Sequence, residues 1–276
     1  MPQNEGAPAT DVEARWFSYD NGAGSSVSRA VAVETPVEFL IGGAPFVVMM
    51  ATPRDLEDFA YGFLFTEGIA ERPEDIRGLE IEEVEEGWRI GVTLAGEKLK
   101  AHLARKRAIS GRTGCGLCGV DDVGRLQRLG PALRPAPPVA PAAVGAALAG
   151  LEARQPLNAL TRAVHAAAWC GRQGGIVVVR EDVGRHNALD KAIGALWRAR
   201  VGGDDGFFVI TSRCSFELVA KAAIFGARTL VTLSAPTSLA LERARAYGIA
   251  IIAVARADAA LSFAGDRIDV EGGHAG

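Results

Sequence analysis

Two cysteines three residues apart carry the most distinctive chemistry in the sequence. Cys115 and Cys118 lie in the segment Thr-Gly-Cys-Gly-Leu-Cys-Gly, where the glycines leave the backbone free to bend. A basic stretch precedes them, with its cations at Arg105, Lys106, Arg107 and Arg112. Neighbouring positive charge stabilises a thiolate, which is the reactive form of cysteine. The pattern therefore favours a nucleophilic thiol on an accessible loop.

Three other interpretations of the cysteine pair are weaker. A structural zinc site needs four ligands, and the remaining cysteines, Cys170 and Cys214, are isolated in the sequence. A thioredoxin-like redox pair opens a helix, which the nearby glycines disfavour. Inert buried thiols fit poorly in a glycine-rich loop. A mobile nucleophile that accepts and gives sulfur fits best, and we expect its loop to be poorly ordered without a ligand.

Composition places this chemistry in an ordinary globular protein. The 276 residues are 49% hydrophobic and 23% charged with a net charge of −3, which suits a large core and offers no general attraction to nucleic acid. No apolar run reaches the roughly 20 residues of a membrane span, and no secretory signal is evident. We therefore expect a cytoplasmic protein that keeps its thiols reduced and binds neither nucleic acid nor membrane.

The chain divides into four predicted segments. They are a flexible N-terminus, an N-terminal α+β domain that ends in the cysteine loop, a Pro/Ala linker and a C-terminal α/β domain, at residues 1–25, 26–130, 131–143 and 144–276. In the first domain a Gly42-Gly43 turn joins two strand-like runs, and Thr52 is typical of a helix N-cap. The second domain alternates strands and helices, which predicts an α/β layered fold.

Polar loops follow three predicted strands of the C-terminal domain. Each joins a strand to a helix, and together they contain Arg185, His186, Asn187, Ser212, Arg213, Ser234 and Thr237. Because the carboxyl ends of parallel strands share one edge of a sheet, we expect a single pocket there. Arginines and helix-start amides suit a phosphate-bearing ligand. The simpler interpretation is helix capping, and it applies in particular to Asn187.

Six segments in order resemble the FdhD family, the formate dehydrogenase accessory sulfurtransferases. They span residues 33 to 263 and read ATPRDLEDFAYGFLFTEGI, CGLCG, VHAAAW, REDVGRHNALDK, SRCSFELVAKAA and SAPTSLALERA. The resemblance implies a cytidine deaminase-like layered α/β/α domain with a smaller N-terminal α+β, strand-rich domain. It also implies a homodimer.

The resemblance further implies a sulfur-transfer mechanism. A cysteine desulfurase would load a persulfide onto Cys115, and Cys118 would relay the sulfur or resolve a mixed disulfide. The sulfur would pass to molybdenum bis(molybdopterin guanine dinucleotide), a bound substrate that then serves a formate dehydrogenase; no intrinsic metal is expected. A family segment that binds the guanine nucleotide end of the cofactor corresponds to Val254, Ala255, Arg256, Ala257, Asp258 and Ala259. The family version is expected to contain an aromatic residue before the arginine, where this sequence has Val254 and Ala255.

Two rival functions remain after a third is excluded. Zinc deaminases need H-x-E followed by P-C-x-x-C, whereas His165 is followed by two alanines and Cys115 precedes it without a proline. One rival is a non-catalytic chaperone that binds and presents the molybdenum cofactor, and the other is a thiol–disulfide oxidoreductase. A sulfurtransferase depends on Cys115, but a chaperone does not.

Overall fold

Three β-sheets organise the part of the chain that the structure describes. The computed structural model describes residues 5–100, 133 and 138–264, so Cys115, Cys118 and the expected mobility of their loop lie outside the described residues. Within these ranges the predicted α/β architecture with a smaller strand-rich part is confirmed. None of the helices in these ranges is long and apolar enough to cross a membrane.

An antiparallel hairpin stands at the start of the described chain. Its strands are β1 (Ala9–Phe17) and β2 (Gly24–Ala32), and most of their residues are exposed. The sequence predicts a flexible segment over residues 1–25, and the hairpin is a departure from that expectation. Its sequence signal is the alternation of apolar residues at 12, 14 and 16 with charged residues at 11, 13 and 15.

The N-terminal unit is a four-stranded sheet covered on one face by a helix. In the order β4-β3-β6-β5, the strands are β3 (Thr35–Ile41), β4 (Ala44–Ala51), β5 (Ile76–Val84) and β6 (Gly87–Leu94), and the helix is α1 (Leu56–Thr66). Residues 96–100 are helical where this described range ends. Phe39 and Ile90 of the sheet are fully buried against Phe59 of α1.

The structure confirms the predicted Gly42-Gly43 turn and contradicts the predicted helix cap at Thr52. The predicted turn is confirmed, since Gly42 and Gly43 both adopt positive φ between β3 and β4, as a tight hairpin requires. The predicted cap is wrong, because α1 begins after Asp55. Thr52 instead lies fully buried, where its amide and hydroxyl are hydrogen-bonded to residues 182 and 183 of the C-terminal unit.

The C-terminal unit is built on a six-stranded sheet of order β12-β11-β10-β9-β7-β8. The strands are β7 (His165–Gly171), β8 (Ile176–Asp182), β9 (Gly206–Ile210), β10 (Thr229–Thr232), β11 (Ala250–Ala253) and β12 (Leu261–Ala264). Strands β9, β10 and β11 are parallel, and β7 is antiparallel to both β8 and β9. Strands β8 to β11 therefore run in one direction and end at the same edge.

Helices cover both faces of this sheet. They are α2 (Pro141–Leu151), α3 (Pro156–Thr161), α4 (Arg185–Arg198), α5 (Phe216–Phe225) and α6 (Ser238–Tyr247). Leu189, Leu218 and Ala240 bring α4, α5 and α6 into one core, while Val144 and Ala147 of α2 belong to a core on the opposite face. This arrangement gives the three layers that were predicted. Helix α2 crosses the linker boundary predicted at residue 143.

A close helix crossing joins the two units. Gly62 of α1 and Gly194 of α4 lie at the contact, where a Cβ atom on either residue would overlap a backbone carbonyl oxygen of the other helix. Phe65 stacks on Trp197 with ring centroids 4.6 Å apart. Glycine thus lets the backbones approach, and the aromatic pair fills the space beside them.

Candidate functional site

The edge where β8 to β11 end carries the predicted cofactor residues. Arg185 and His186 follow β8 at the start of α4, and the loops after β9 and β10 are bonded to each other. The amide of Cys214 donates to the carbonyl of Ala235 at 3.3 Å, and the amide of Thr237 donates to the carbonyl of Cys214 at 3.0 Å. The structure therefore brings the three predicted loops together at one edge.

A buried carboxylate fixes the turn between β8 and α4. Asp182 is fully buried, and its Oδ1 accepts from the amide of Gly184 at 2.7 Å and from Asn187 Nδ2 at 3.0 Å. Its Oδ2 accepts from the amide of Thr52 at 3.0 Å and from Lys191 Nζ at 2.6 Å. Four donors on one carboxylate hold the turn rigidly against both α4 and the N-terminal unit.

Asn187 has a structural bonding role within this network. It is the third residue of α4, whose N-cap is Gly184, so the capping interpretation of Asn187 is wrong. Its Nδ2 also donates to the carbonyl of Met50 at 2.8 Å, and the residue is 4% exposed. Its predicted contact with a cofactor stays a prediction.

His186 is held as a neutral ring beside the start of α5. Its Nε2 lies 3.4 Å from Ser215 Oγ and 3.9 Å from Glu217 Oε2. Burial, followed by the positive charge of Arg185, lowers the pKa of His186 to about 4. The same two causes lower the pKa of His165, which faces this turn from β7. Both rings can therefore donate or accept a hydrogen bond without carrying charge at neutral pH.

Arg185 offers an unused donor at the same place. Its Nε atom is buried, and no described residue accepts a hydrogen bond from it. A buried donor in this state is costly, and an anionic oxygen would satisfy it. The amino ends of α4 and α5 add partial positive charge at this edge. The arrangement fits a phosphate group.

The loops after β9 and β10 contribute one exposed cation and several structural contacts. The Arg213 side chain is exposed, whereas Ser212 is buried and its hydroxyl donates to the carbonyl of Arg213 at 3.1 Å. Thr237 caps α6 by accepting from the amide of Ala240 at 3.2 Å. Ser234 is half-buried. Of these predicted residues, Arg213 is therefore the one best exposed to a ligand.

The segment after β11 folds back onto the loop that follows β10. Arg256 Nη1 donates to the carbonyl of Leu233 at 2.5 Å, and its amide donates to the carbonyl of Ala259 at 2.8 Å. Val254 has a φ of 54°, a strained value for a β-branched residue. Ala255 is buried, and the exposed residues of the segment are Arg256, Ala257, Asp258 and Ala259. The segment thus borders the same edge as the other predicted residues.

The two cysteines that the structure describes are poor nucleophiles. Cys170 and Cys214 are fully buried on opposite faces of the six-stranded sheet. Burial raises the pKa of each thiol to about 12, so neither is a thiolate at neutral pH. Across the described ranges, no group of three or more His, Cys, Asp or Glu side chains is arranged to hold a metal ion.

Sequence reasoning missed three residues that shape this edge. Asp182 stands in the same polar segment as Arg185, but nothing in the sequence shows that its carboxylate is buried. Thr52 binds it from 130 residues away. Ser215 is the N-cap residue of α5, but its hydroxyl lies beside His186 and makes no capping hydrogen bond.

We expect the protein to lose stability as the pH falls from about 6.5 to about 4, and His186→Gln to lessen that loss. The pKa of His186 is about 4 in the folded protein and about 6.5 in an unfolded chain. Between these values the unfolded chain binds more protons, so the free energy of unfolding rises with pH. The full shift corresponds to roughly 3 kcal/mol, a ceiling because the side chain is 29% exposed. Urea unfolding at about pH 7 and about pH 5 measures the difference; equal losses in both proteins would contradict a buried neutral ring.

The fold and this edge define a three-layer α/β protein whose strands β8 to β11 end at an edge lined by arginine and histidine. Comparison with known proteins is consistent with this class: a family model described as the FdhD/NarQ family matches residues 32–268. The chain belongs to the FdhD/NarQ family.

Individual relatives match over most of the chain. A protein of Xanthomonas axonopodis pv. citri named sulfur carrier protein FdhD is 46% identical over 235 residues, which cover 85% of this chain and 84% of the relative. A protein of the same name from Bordetella petrii is 44% identical over 87% of this chain and 86% of its own. A crystal structure from Desulfotalea psychrophila, described as a candidate formate dehydrogenase accessory protein, has a TM-score of 0.74 at 24% identity and covers 95% of this chain and 100% of its own.

Proposed function

We propose that this protein is a sulfurtransferase that accepts sulfur as a persulfide on Cys115 and delivers it to a molybdenum bis(molybdopterin guanine dinucleotide) cofactor for a formate dehydrogenase. The observation that carries the proposal is the 46% identity, over 85% of the chain, to a protein named sulfur carrier protein FdhD. The sulfur donor is a cysteine desulfurase, and the protein acts in the cytoplasm as a homodimer.

The state of the described cysteines supports Cys115 and Cys118 as the working thiols. Burial keeps Cys170 and Cys214 protonated, with the pKa of each raised to about 12. In the loading step, the Cys115 thiolate attacks the outer sulfur of the desulfurase persulfide. A new S–S bond forms on Cys115, and the desulfurase cysteine leaves as a thiolate. Cys118 relays the sulfur or resolves a mixed disulfide.

We further propose that the guanine nucleotide end of the cofactor binds along the edge where β8 to β11 end. The buried Nε of Arg185, which has no acceptor among the described residues, and the amino ends of α4 and α5 would hold phosphate oxygens. Arg213 adds an exposed cation, and the neutral ring of His186 adds a hydrogen-bonding group. The segment from Val254 to Ala259 borders the same edge. The bound cofactor supplies the metal that receives the sulfur, and the protein orients it.

Intact-mass analysis after incubation with a cysteine desulfurase and cysteine tests the sulfur-carrier role. We expect wild type to gain one sulfur atom that a thiol reductant removes, and Cys115→Ala to gain none. The matched control is Cys170→Ala with Cys214→Ala, which removes the two buried thiols and should load like wild type. Failure of wild type to gain sulfur beside a competent desulfurase would sink the proposal and favour a non-catalytic cofactor chaperone.

A further inference from the structure

One buried carboxylate connects the end of β4 to the turn that carries Arg185 and His186. Asp182 Oδ2 bonds the amide of Thr52 at 3.0 Å and Lys191 Nζ at 2.6 Å. Lys191 Nζ also donates to the carbonyl of Thr52 at 2.9 Å, and the hydroxyl of Thr52 accepts from the amide of Val183 at 3.2 Å. Thr52 and Lys191 are fully buried like Asp182. The contacts form a closed, solvent-free unit between the two parts of the protein.

The other oxygen of the same carboxylate sets the start of α4. Asp182 Oδ1 holds the amide of Gly184 and the side chain of Asn187, which reaches onward to the carbonyl of Met50. The turn is tight, since a Cβ atom at Gly184 would come within 2.8 Å of Asn187 Nδ2. Arg185 and His186 follow at once, so their side chains leave a backbone whose position depends on this carboxylate.

We propose that Asp182 is a positioning residue for the cofactor site: it holds Arg185 and His186 in place and registers them to the end of β4 in the N-terminal unit. This inference rests on the proposed function, because Arg185 and His186 are the groups assigned to the cofactor. Asp182 itself is fully buried, so it acts through the turn and not by contact with a ligand.

A second buried carboxylate, that of Asp190, provides a control that distinguishes positioning of the turn from general support of the fold. Asp190 is also fully buried on α4, where it accepts from Lys221 Nζ at 2.9 Å and from Thr66 Oγ1 at 2.8 Å. It joins α4 to α1 and α5, as Asp182 joins α4 to β4. None of its described hydrogen bonds reaches the turn over residues 182–186. Asp190→Asn is therefore the matched control for Asp182→Asn.

Replacement of Asp182 by asparagine puts an amide group where a carboxylate meets Gly184, Asn187, Thr52 and Lys191. The asparagine side chain has one oxygen, which can accept either from Gly184 and Asn187 or from Thr52 and Lys191. The other two donors lose their acceptor. The turn then relaxes, and His186, whose side chain is 29% exposed in wild type, becomes more exposed to water. Since Lys191 is left as an unpaired buried cation, a second variant, Asp182→Asn with Lys191→Met, removes that charge and keeps the test valid if the single variant does not fold.

The deciding measurement is the His186 pKa, followed by NMR on the full-length protein. In wild type and in Asp190→Asn, His186 should titrate near pH 4, the pKa of the partly buried ring. Asp182→Asn, or the double variant, should titrate about one pH unit higher or more, because a solvated imidazole regains its ordinary affinity for protons. A pKa of His186 that is the same in the Asp182 and Asp190 variants would overturn the positioning role.

Binding of GDP, as a probe for the guanine nucleotide end, links the result to the proposed function. Asp182→Asn should bind GDP about tenfold more weakly or worse than wild type, since small displacements of binding groups are costly, and Asp190→Asn should match wild type. Equal GDP affinity in the two variants would also overturn the role. If wild type binds no GDP while the His186 shift occurs, the proposed nucleotide site fails and the positioning of the turn by Asp182 stands.

Discussion

Cells that rely on this protein are expected to lose formate dehydrogenase activity completely when Cys115 is replaced by alanine. A sulfur carrier cannot form its persulfide without the acceptor thiolate, and removal of a nucleophile leaves no partial route. The measurement is formate dehydrogenase activity in a strain that lacks its own protein and carries either wild type or Cys115→Ala at equal abundance. We expect the variant to match the strain without any complementing protein.

Two comparisons make this result specific to sulfur transfer. Cys214→Ala changes a buried thiol with a pKa raised to about 12 and should retain the activity. The second comparison adds excess sulfide to cells that express Cys115→Ala. Recovery of formate dehydrogenase activity would show that delivery of sulfur is the missing step. If Cys115→Ala supports wild-type activity, the protein binds and presents the cofactor without carrying sulfur.

Gly62→Ala is expected to destabilise the folded protein by about 2 kcal/mol or more. The added Cβ atom would overlap the carbonyl oxygen of Asp190, so helices α1 and α4 must separate. Overpacking costs typically 1–3 kcal/mol, and more when backbone must move. This exceeds the roughly 1 kcal/mol that alanine gains over glycine in a helix. A loss of about 2 kcal/mol lowers Tm by roughly 4–8 °C in a chain of this size.

Gly145→Ala is the matched control for the helix crossing. Gly145 lies inside α2, and no atom of the described residues lies within 4 Å of the position of its missing Cβ, so only the helix propensity changes. We expect a gain of about 0.5–1 kcal/mol. Thermal unfolding of the three proteins separates the two effects, and a Gly62→Ala protein as stable as Gly145→Ala would show that α1 and α4 do not approach closely.

Much of the C-terminal sheet could be predicted from the sequence because its strands and helices have strong local patterns. The apolar run at 207–210 is typical of a buried strand and lies in β9, and the helical spacing of Phe216, Val219 and Ala223 is typical of a helix and lies in α5. Strand β7 cannot be predicted from the sequence, since its Ala166-Ala167-Ala168 run has low strand propensity. Its place between β8 and β9, with ladders on both sides, stabilises the strand through contacts that the sequence does not reveal.

The sequence predicts which residues lie at the candidate site, but it does not predict the hydrogen bonds that hold them there. Arg185, His186 and Arg213 could be assigned to one edge, because strand direction alone sets where loops meet. The burial of Asp182 and its bond to Thr52 could not be predicted, since residues 130 positions apart meet only through the packing of two units. For the same reason, Asn187 resembled a helix cap and proved to be a cross-link to Met50.

The buried thiols of Cys170 and Cys214 also allow local opening of the two faces of the six-stranded sheet to be measured. Cys170 is sealed between the sheet and α2, whereas Cys214 is sealed on the face covered by α4, α5 and α6. A thiol reagent can reach either sulfur only when the layer above it opens. The labelling rates of Cys170 and Cys214, measured separately, therefore report how often the helical layer on each face of the sheet opens. The faster rate would identify the layer that opens more readily.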